Sequence, residues 1–277
     1  MGKNNIKQSS DAVLSESQVA DFKERGYLIA DFGLDESMLD TIKQKLQPLY
    51  PEDYQQNPAL SARIQDGWKT VDEVRQLARN ENIATALKQL LGRQSLPFQT
   101  LNFPIGTRQL THSDTIHFNS IPSNFMVGVW VALEDIDEDN GPLLYYPGSQ
   151  KLQEYTMHDF DLEPGYQNYS KYEERIQQVV EREQLEGEYG TIKKGEALIW
   201  HANLLHGGAP QKDLTRSRHS QVTHYYFAEC KYYTPMNSKA DKPIFRDPFW
   251  IPESADYQIP KPRSLFRRVA RKLGISQ

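Results

Sequence analysis

A chain of 277 residues, 38% apolar and 25% charged, can bury a substantial core, as one large domain or two small ones. Its net charge of −5 argues against a wholly basic nucleic-acid-binding surface, and no apolar run approaches the roughly 20 residues of a membrane span. Cys230 is the only cysteine, which excludes an intramolecular disulfide or a thiolate-rich metal cluster and fits a reducing cytoplasm. The opening MGKNNIKQSS has no apolar stretch of the secretory kind, and Ile6 stands where an acylation pattern needs Ser or Thr.

Residues 1–13 are polar and read as a loose N-terminal tail. From Leu14 the pattern predicts a helix: Ser15 is the N-cap, Gln18 completes a capping box, and Leu14 with Val19 forms a hydrophobic staple. Gly26 ends that helix, and 27–32 reads as a strand. Asp35 caps a second helix carrying Met38, Leu39, Ile42 and Leu46 at helical spacing, stopped by Pro48 and Pro51. A further helical stretch runs over 71–91 and stops at Gly92.

Beyond Pro97 the texture changes to short β-branched and aromatic segments at 98–103, 125–133, 143–146, 190–193, 197–201 and 221–227. Many short strands suggest a sandwich or barrel. Residues 151–188 are charged and Tyr-rich, with a helix over 171–185, and read as an excursion from the β core that lids a site. Helices followed by strands argue for one α+β, mainly β domain over 14–260. The tail 261–277 is basic and amphipathic, and its stretch 261–273 could lie on an anionic membrane surface. The plainer reading is a solvated terminal helix packed on the domain.

Among seven histidines, the informative cluster is His112-Ser113-Asp114. On a strand, residues two apart share a face, so an imidazole and a carboxylate project side by side. A second histidine from elsewhere would complete two His and one carboxylate, the set that leaves three positions open on a non-haem Fe(II). A bidentate 2-oxo acid takes two of those positions and O2 the third. Both His201 and His206 lie in a turn–strand–glycine block over 194–208, and paired Gly207 and Gly208 leave room for a ligand beside His206. Arg216 and Arg218 precede the run 219–227 with the same strand parity. An arginine on a core strand must find an anion, and a distal carboxylate would meet a planar guanidinium in a bidentate pair.

Several ordered blocks carry a family likeness: Leu14-Ser15 through Gln18-Val19, Phe22 and Gly26-Tyr27-Leu28; His112-Ser113-Asp114; 130–135; Asn140-Gly141-Pro142-Leu143; Pro147-Gly148-Ser149; 195–207; and 218–230. Together, over 14–233, they resemble the phytanoyl-CoA dioxygenase family of Fe(II)/2-oxoglutarate oxygenases. The resemblance implies a double-stranded β-helix, a cupin-like jelly roll with N-terminal helices packed outside. It implies His112, Asp114 and His206 as iron ligands, Arg218 as the 2-oxoglutarate partner, and Trp130 and Gln99 beside that co-substrate. It favours His206 over His201, and the register to Cys230 favours Arg218 over Arg216. The expected activity is hydroxylation of a small molecule by O2 with release of succinate and CO2. Two positions depart from the family pattern: Gly208 stands where some members have Ser, and Gln150 where His usually follows Pro-Gly-Ser. Because Asp114 is an acid, no coordination position is freed for chloride, which disfavours a halogenase.

Plainer readings stand beside these. Trp130 on a strand reads as core; His117 reads as a substrate-side or surface residue; His219 and His224 read as strand residues with ordinary partners, and His158 says little. Competing functions are a cupin-like isomerase or hydrolase with zinc in the same pocket, which does not need Arg218, and a non-catalytic binding protein of the same fold. Nucleic acid is not an expected partner, and oligomeric state is not legible.

Overall fold

The computed structural model describes residues 12–54 and 62–256. The basic amphipathic tail at 261–277 lies outside them, as does nearly all of the loose tail at 1–13.

The first two helices form where their caps demand. Helix α1 (Glu16–Arg25) starts on the Ser15/Gln18 capping box and stops at Gly26, whose φ of 82° only glycine adopts without strain. Helix α2 (Glu36–Leu46) starts on Asp35, which accepts from the Ser37 amide. The stretch expected as one helix over 71–91 is two, α3 (Asp72–Ala78) and α4 (Glu81–Leu91). Asn80 breaks it: its side chain accepts from the Ile83 amide and so starts a new helix in mid-pattern.

The β core is one large antiparallel sheet and two small ones. The large sheet orders β1 (Tyr27–Asp31), β8 (Glu196–His201), β5 (Met126–Ala132), β10 (Ser220–Phe227), β3 (Ser95–Phe103) and β2 (Ile64–Gln65). A second sheet orders β7 (Glu188–Tyr189), β6 (Leu143–Tyr145) and β9 (His206–Gly208). A third orders β12 (Phe245–Arg246), β11 (Lys231–Tyr233) and β4 (Asn119–Ile121). The strand expected at 190–193 is not formed: β7 ends at Tyr189, and at Gly190 a Cβ would stand 3.3 Å from the Leu198 and Trp130 side chains. Beyond it only Ile192 bridges, to Ile136.

Strand parity divides the interior. Val127, Val129, Val131, Ala197 and Ile199 turn outward and pack with Leu39, Ile42, Leu87 and other residues of α1–α4. Trp130, Ala132, Leu198, Trp200 and Val222 turn inward, against Tyr145, Ile192 and Leu204 from the side of the second sheet. The helices thus seal one face of the large sheet, and the space between sheets holds the second core. Helix α5 (Tyr169–Arg182) lies in the 151–188 excursion and begins two residues earlier than expected. It buries Tyr172, Ile176 and Val179 against Ile116, Leu205 and Met236.

A candidate metal centre beside a buried arginine

The site begins with one pair of backbone hydrogen bonds. His112 and His206 form an isolated antiparallel bridge in which each amide donates to the other's carbonyl at 2.9 Å. Directly paired residues of this kind project to one face, so two imidazoles 94 positions apart stand side by side with ring centroids 4.6 Å apart. The strand assumed for 112–114 is therefore a single bridge, with Asp114 opening a short 3-10 turn. The extended Ser113 between them (φ −115°, ψ 146°) keeps the two-residue parity that brings Asp114 alongside. Paired glycines are also needed for packing. A Cβ on Gly207 would meet the Gln109 carbonyl at 2.7 Å, and one on Gly208 would meet the Arg108 amide and Thr107 Oγ1 at 2.7 Å. The missing Cβ atoms admit the 107–111 segment, and Gly207 still lines the cavity. Thr107 lines the cavity, so its hydroxyl fills the space a side chain at 208 would take.

Each imidazole is held in the tautomer a metal needs. The Nδ1 atoms of His112 and His206 sit 2.9 Å from the Leu110 and Leu204 carbonyls. Carbonyls only accept, so Nδ1 carries the proton and Nε2 presents its lone pair. Both Nε2 atoms lie 4.0 Å from Asp114 carboxylate oxygens. One donor atom from each residue lies within 4.8 Å of the others, and all three residues are buried. Burial, then His206, pulls His112 down to about 3, so it stays neutral at any ordinary pH. Burial works to raise the Asp114 carboxyl, but His206, His224 and His112 outweigh it and hold it below the usual range. Two imidazole nitrogens with their lone pairs turned inward and one carboxylate oxygen, dry and facing each other, suit a divalent cation of the first transition row.

Two side chains orient the carboxylate. Trp200 donates from Nε1 to Asp114 Oδ2 at 2.8 Å, and His224 Nε2 lies 3.6 Å from the same oxygen. His224 is in turn fixed through Nδ1 to Gln99 Oε1 at 3.0 Å. Both rings flank Gly128, which pairs with Trp200 on one side and His224 on the other. A Cβ at 128 would stand 2.2 Å from the Trp200 ring, so only glycine lets that indole cross the strand.

A cavity of about 450 Å³ joins the three residues to Arg218. The Arg218 side chain is fully buried, with Nε on the Gly141 carbonyl at 3.1 Å and Nη1 on Ser220 Oγ at 2.7 Å. Its guanidinium lies over the rings of Trp130 and Phe103 at 5.4 and 5.7 Å. Burial lowers it to about 10, with Glu134 working the other way, so it remains charged at neutral pH. Nη2 of Arg218 and Nε1 of Trp130 are both buried and have no protein partner. Two orphaned donors at one end of a cavity, one of them cationic, require an anionic acceptor. Arg216, the alternative, is half-buried and spent on Asp137 at 2.8 Å.

Of the sequence candidates, the cavity therefore gathers His112, Asp114, His206, Arg218, Trp130 and Gln99. His201 lies apart from the cavity lining and accepts from the Asn203 amide at 3.0 Å. Gln150, outside the cavity lining, donates to the Lys23 and Glu24 carbonyls at the end of α1. Sequence reasoning missed Trp200, His224 and Gln109, whose amide nitrogen lies 3.3 Å from His112 Nε2 and 3.2 Å from the Tyr169 hydroxyl. Inward parity at 198/200 and 222/224 was the available signal, and it reads as core without the cross-strand register.

The profile of the phytanoyl-CoA dioxygenase family matches residues 11–220. Peroxisomal phytanoyl-CoA dioxygenase of Bos taurus is 30% identical over 133 residues, 46% of this chain and 36% of that protein, so the match spans about a third of the curated relative. A probable phytanoyl-CoA dioxygenase of Caenorhabditis elegans is 21% identical over 233 residues, covering 73% of this chain and 72% of that one. Among solved structures, EctD from S. alaskensis with bound Fe superposes with a TM-score of 0.62 at 21% identity, over 83% of each chain. The epimerase SnoN, in complex with Fe3+, alpha ketoglutarate and nogalamycin RO, gives a TM-score of 0.60 at 18% identity, over 84% of this chain and 94% of that one. These two likenesses establish the jelly-roll fold.

Proposed function

The chain belongs to the phytanoyl-CoA dioxygenase family, and on that premise we propose that it is an Fe(II)- and 2-oxoglutarate-dependent dioxygenase hydroxylating a C–H bond of a small molecule. The observation that carries this reading is the pairing, in one cavity, of a buried His–Asp–His group with a buried guanidinium whose Nη2 has no protein partner. A zinc isomerase or hydrolase gives that orphaned cation nothing to do.

His112, Asp114 and His206 would hold the iron. Bound there, it supplies the redox chemistry by which O2 oxidises 2-oxoglutarate to succinate and CO2 and hydroxylates the substrate. The protein's share is placement. Arg218 would take the far carboxylate of 2-oxoglutarate, with the Trp130 indole N–H as a second donor and the Phe103 and Trp130 rings holding the guanidinium plane. Trp200 and His224 hold the Asp114 carboxylate, and Gln99, which also lines the cavity where 2-oxoglutarate would sit, holds His224. The 151–188 excursion would serve as the lid of one domain spanning 14–260, since Tyr166 lines the cavity and Tyr169 reaches Gln109. A single cysteine suits the reducing cytoplasm. Among the described residues no helix is long and apolar enough to cross a membrane.

Purified protein given Fe(II), 2-oxoglutarate, O2 and a fractionated metabolite extract should release succinate and CO2 in equal amounts, and His206→Ala should release neither. Iron-loaded protein that turns over 2-oxoglutarate with no fraction contradicts the proposal.

A further inference from the structure

The cavity carries more positive charge than the metal and its co-substrate use. Three arginines line it, Arg63, Arg218 and Arg246, against one carboxylate, Asp114, which leaves a formal +2 with the histidines neutral. On the reading above, a divalent iron and doubly anionic 2-oxoglutarate cancel each other and occupy Arg218. Arg63 and Arg246 are then left over. Neither has a carboxylate within ion-pair distance among the described residues, whereas twelve of the other Lys and Arg side chains there do, Lys43 and Arg79 among them.

The two cations are placed, not loose. Arg246, on β12, is half-buried, with its guanidinium over the rings of Phe118 and Phe98 at 4.7 and 5.6 Å and Nη1 on the His117 carbonyl at 3.3 Å. Arg63 precedes β2, at the edge of the large sheet beside β3, and is exposed. Both act on the His117 ring, itself lodged in the cavity wall and stacked on Tyr166 at 5.9 Å. A guanidinium held over aromatic rings, with one nitrogen on a carbonyl, keeps further N–H groups for planar oxyanions.

We propose that the primary substrate is a small metabolite bearing a carboxylate or phosphate group, bound by Arg63 and Arg246 at the His117 side of the cavity. This rests on the dioxygenase reading, and deepens it by naming the substrate class. The volume agrees, because about 450 Å³ shared with a co-substrate is at the small end for ligand sites. Tyr166 and Phe118 offer the remainder of such a substrate two aromatic faces next to the cations.

The test uses protein loaded with Mn(II) and 2-oxoglutarate, whose paramagnetic ion broadens proton resonances of molecules bound near it. Phenyl phosphate and benzoate form the two anion arms, and benzyl alcohol is the neutral control. One or both anions should be broadened saturably, at least 10-fold more than benzyl alcohol, and the Arg63→Gln/Arg246→Gln double variant should lose that difference. Arg246→Lys should keep part of it. Because both arginines are at the surface or half-buried, the double variant should fold and bind 2-oxoglutarate as before, checked by calorimetry on the same sample. Equal broadening by the alcohol, no broadening by either anion, or full broadening in the double variant overturns the proposal. Failure of the wild-type protein to bind Mn(II) and 2-oxoglutarate at all overturns the dioxygenase reading instead, and this one with it.

Discussion

Arg218 shows how much one side chain can specify. It is wholly buried, charged, and satisfied at two of its three nitrogens by a carbonyl and a hydroxyl, neither of which neutralises it. A cation left like this is costly unless an anion arrives, and the anion's binding recovers that cost. Arg218→Gln should weaken 2-oxoglutarate binding by about 2–5 kcal/mol, at least roughly 30-fold, while leaving Mn(II) affinity within a few-fold. Calorimetry on the Mn(II)-loaded protein reads both numbers; an unchanged 2-oxoglutarate affinity would mean that the guanidinium faces something else. That an arginine here needed an anion was legible in the sequence. Its preference over Arg216 was not decided by parity, and the structure gives the reason: Arg216 finds Asp137 at the surface.

At the scale of elements, three neighbouring strands build the carboxylate's surroundings. Strand β5 runs between β8 and β10, and Gly128 is the point where the Trp200 indole crosses it. Gly128→Ala should cost about 1–3 kcal/mol by overpacking, read from urea unfolding. It should also push Trp200 off Asp114 and so weaken metal binding by about 10-fold or more. Full metal affinity in that variant would show that the Trp200 hydrogen bond contributes nothing to the centre. The apolar run 197–201 and the polar-apolar run up to 227 made both strands readable, but not that Trp200 and His224 turn toward the cavity. The register 128↔200 and 128↔224 was not readable, because pairing across the sheet is decided by packing among distant segments. The break at Asn80 was missed for a related reason: an asparagine inside a helical pattern is neutral until its side chain finds the amide three residues on. The glycine pair at 207–208 singled out the histidine that the cavity gathers; Gly207 lines that cavity, while the Cβ positions of both glycines face the 107–111 segment.

For the whole molecule, the histidines make stability depend on pH. Burial is the leading cause that pulls His112 down to about 3 and His117, His201 and His219 to about 4. In the unfolded chain each takes its proton near 6.5. Between those values the unfolded state binds more protons, so stability rises with pH through this window and is lost as pH falls from about 6.5 towards 4. Asp114, held below its usual range, contributes stability that disappears only at lower pH, so it does not offset the loss. Melting temperatures of metal-free protein should therefore drop steadily from pH 7 to pH 4.5, and a flat profile there would contradict the buried, neutral histidines. The order of blocks from Leu14 to Tyr233 was enough to name the architecture. The side chains that finish the site came only with the fold, since Gln109, Trp200 and His224 reach it from three separate segments.

The central claim is that the His–Asp–His group and Arg218 act together on one metal and one 2-oxo acid. Anaerobic titration of Fe(II)-loaded protein with 2-oxoglutarate, followed in the visible, tests it most directly. Chelation of iron by the 2-oxo acid should produce a saturable metal-to-ligand charge-transfer band, absent in His206→Ala and requiring far more 2-oxoglutarate in Arg218→Gln. Iron bound at the three residues with no such band at any concentration of the acid would contradict the account.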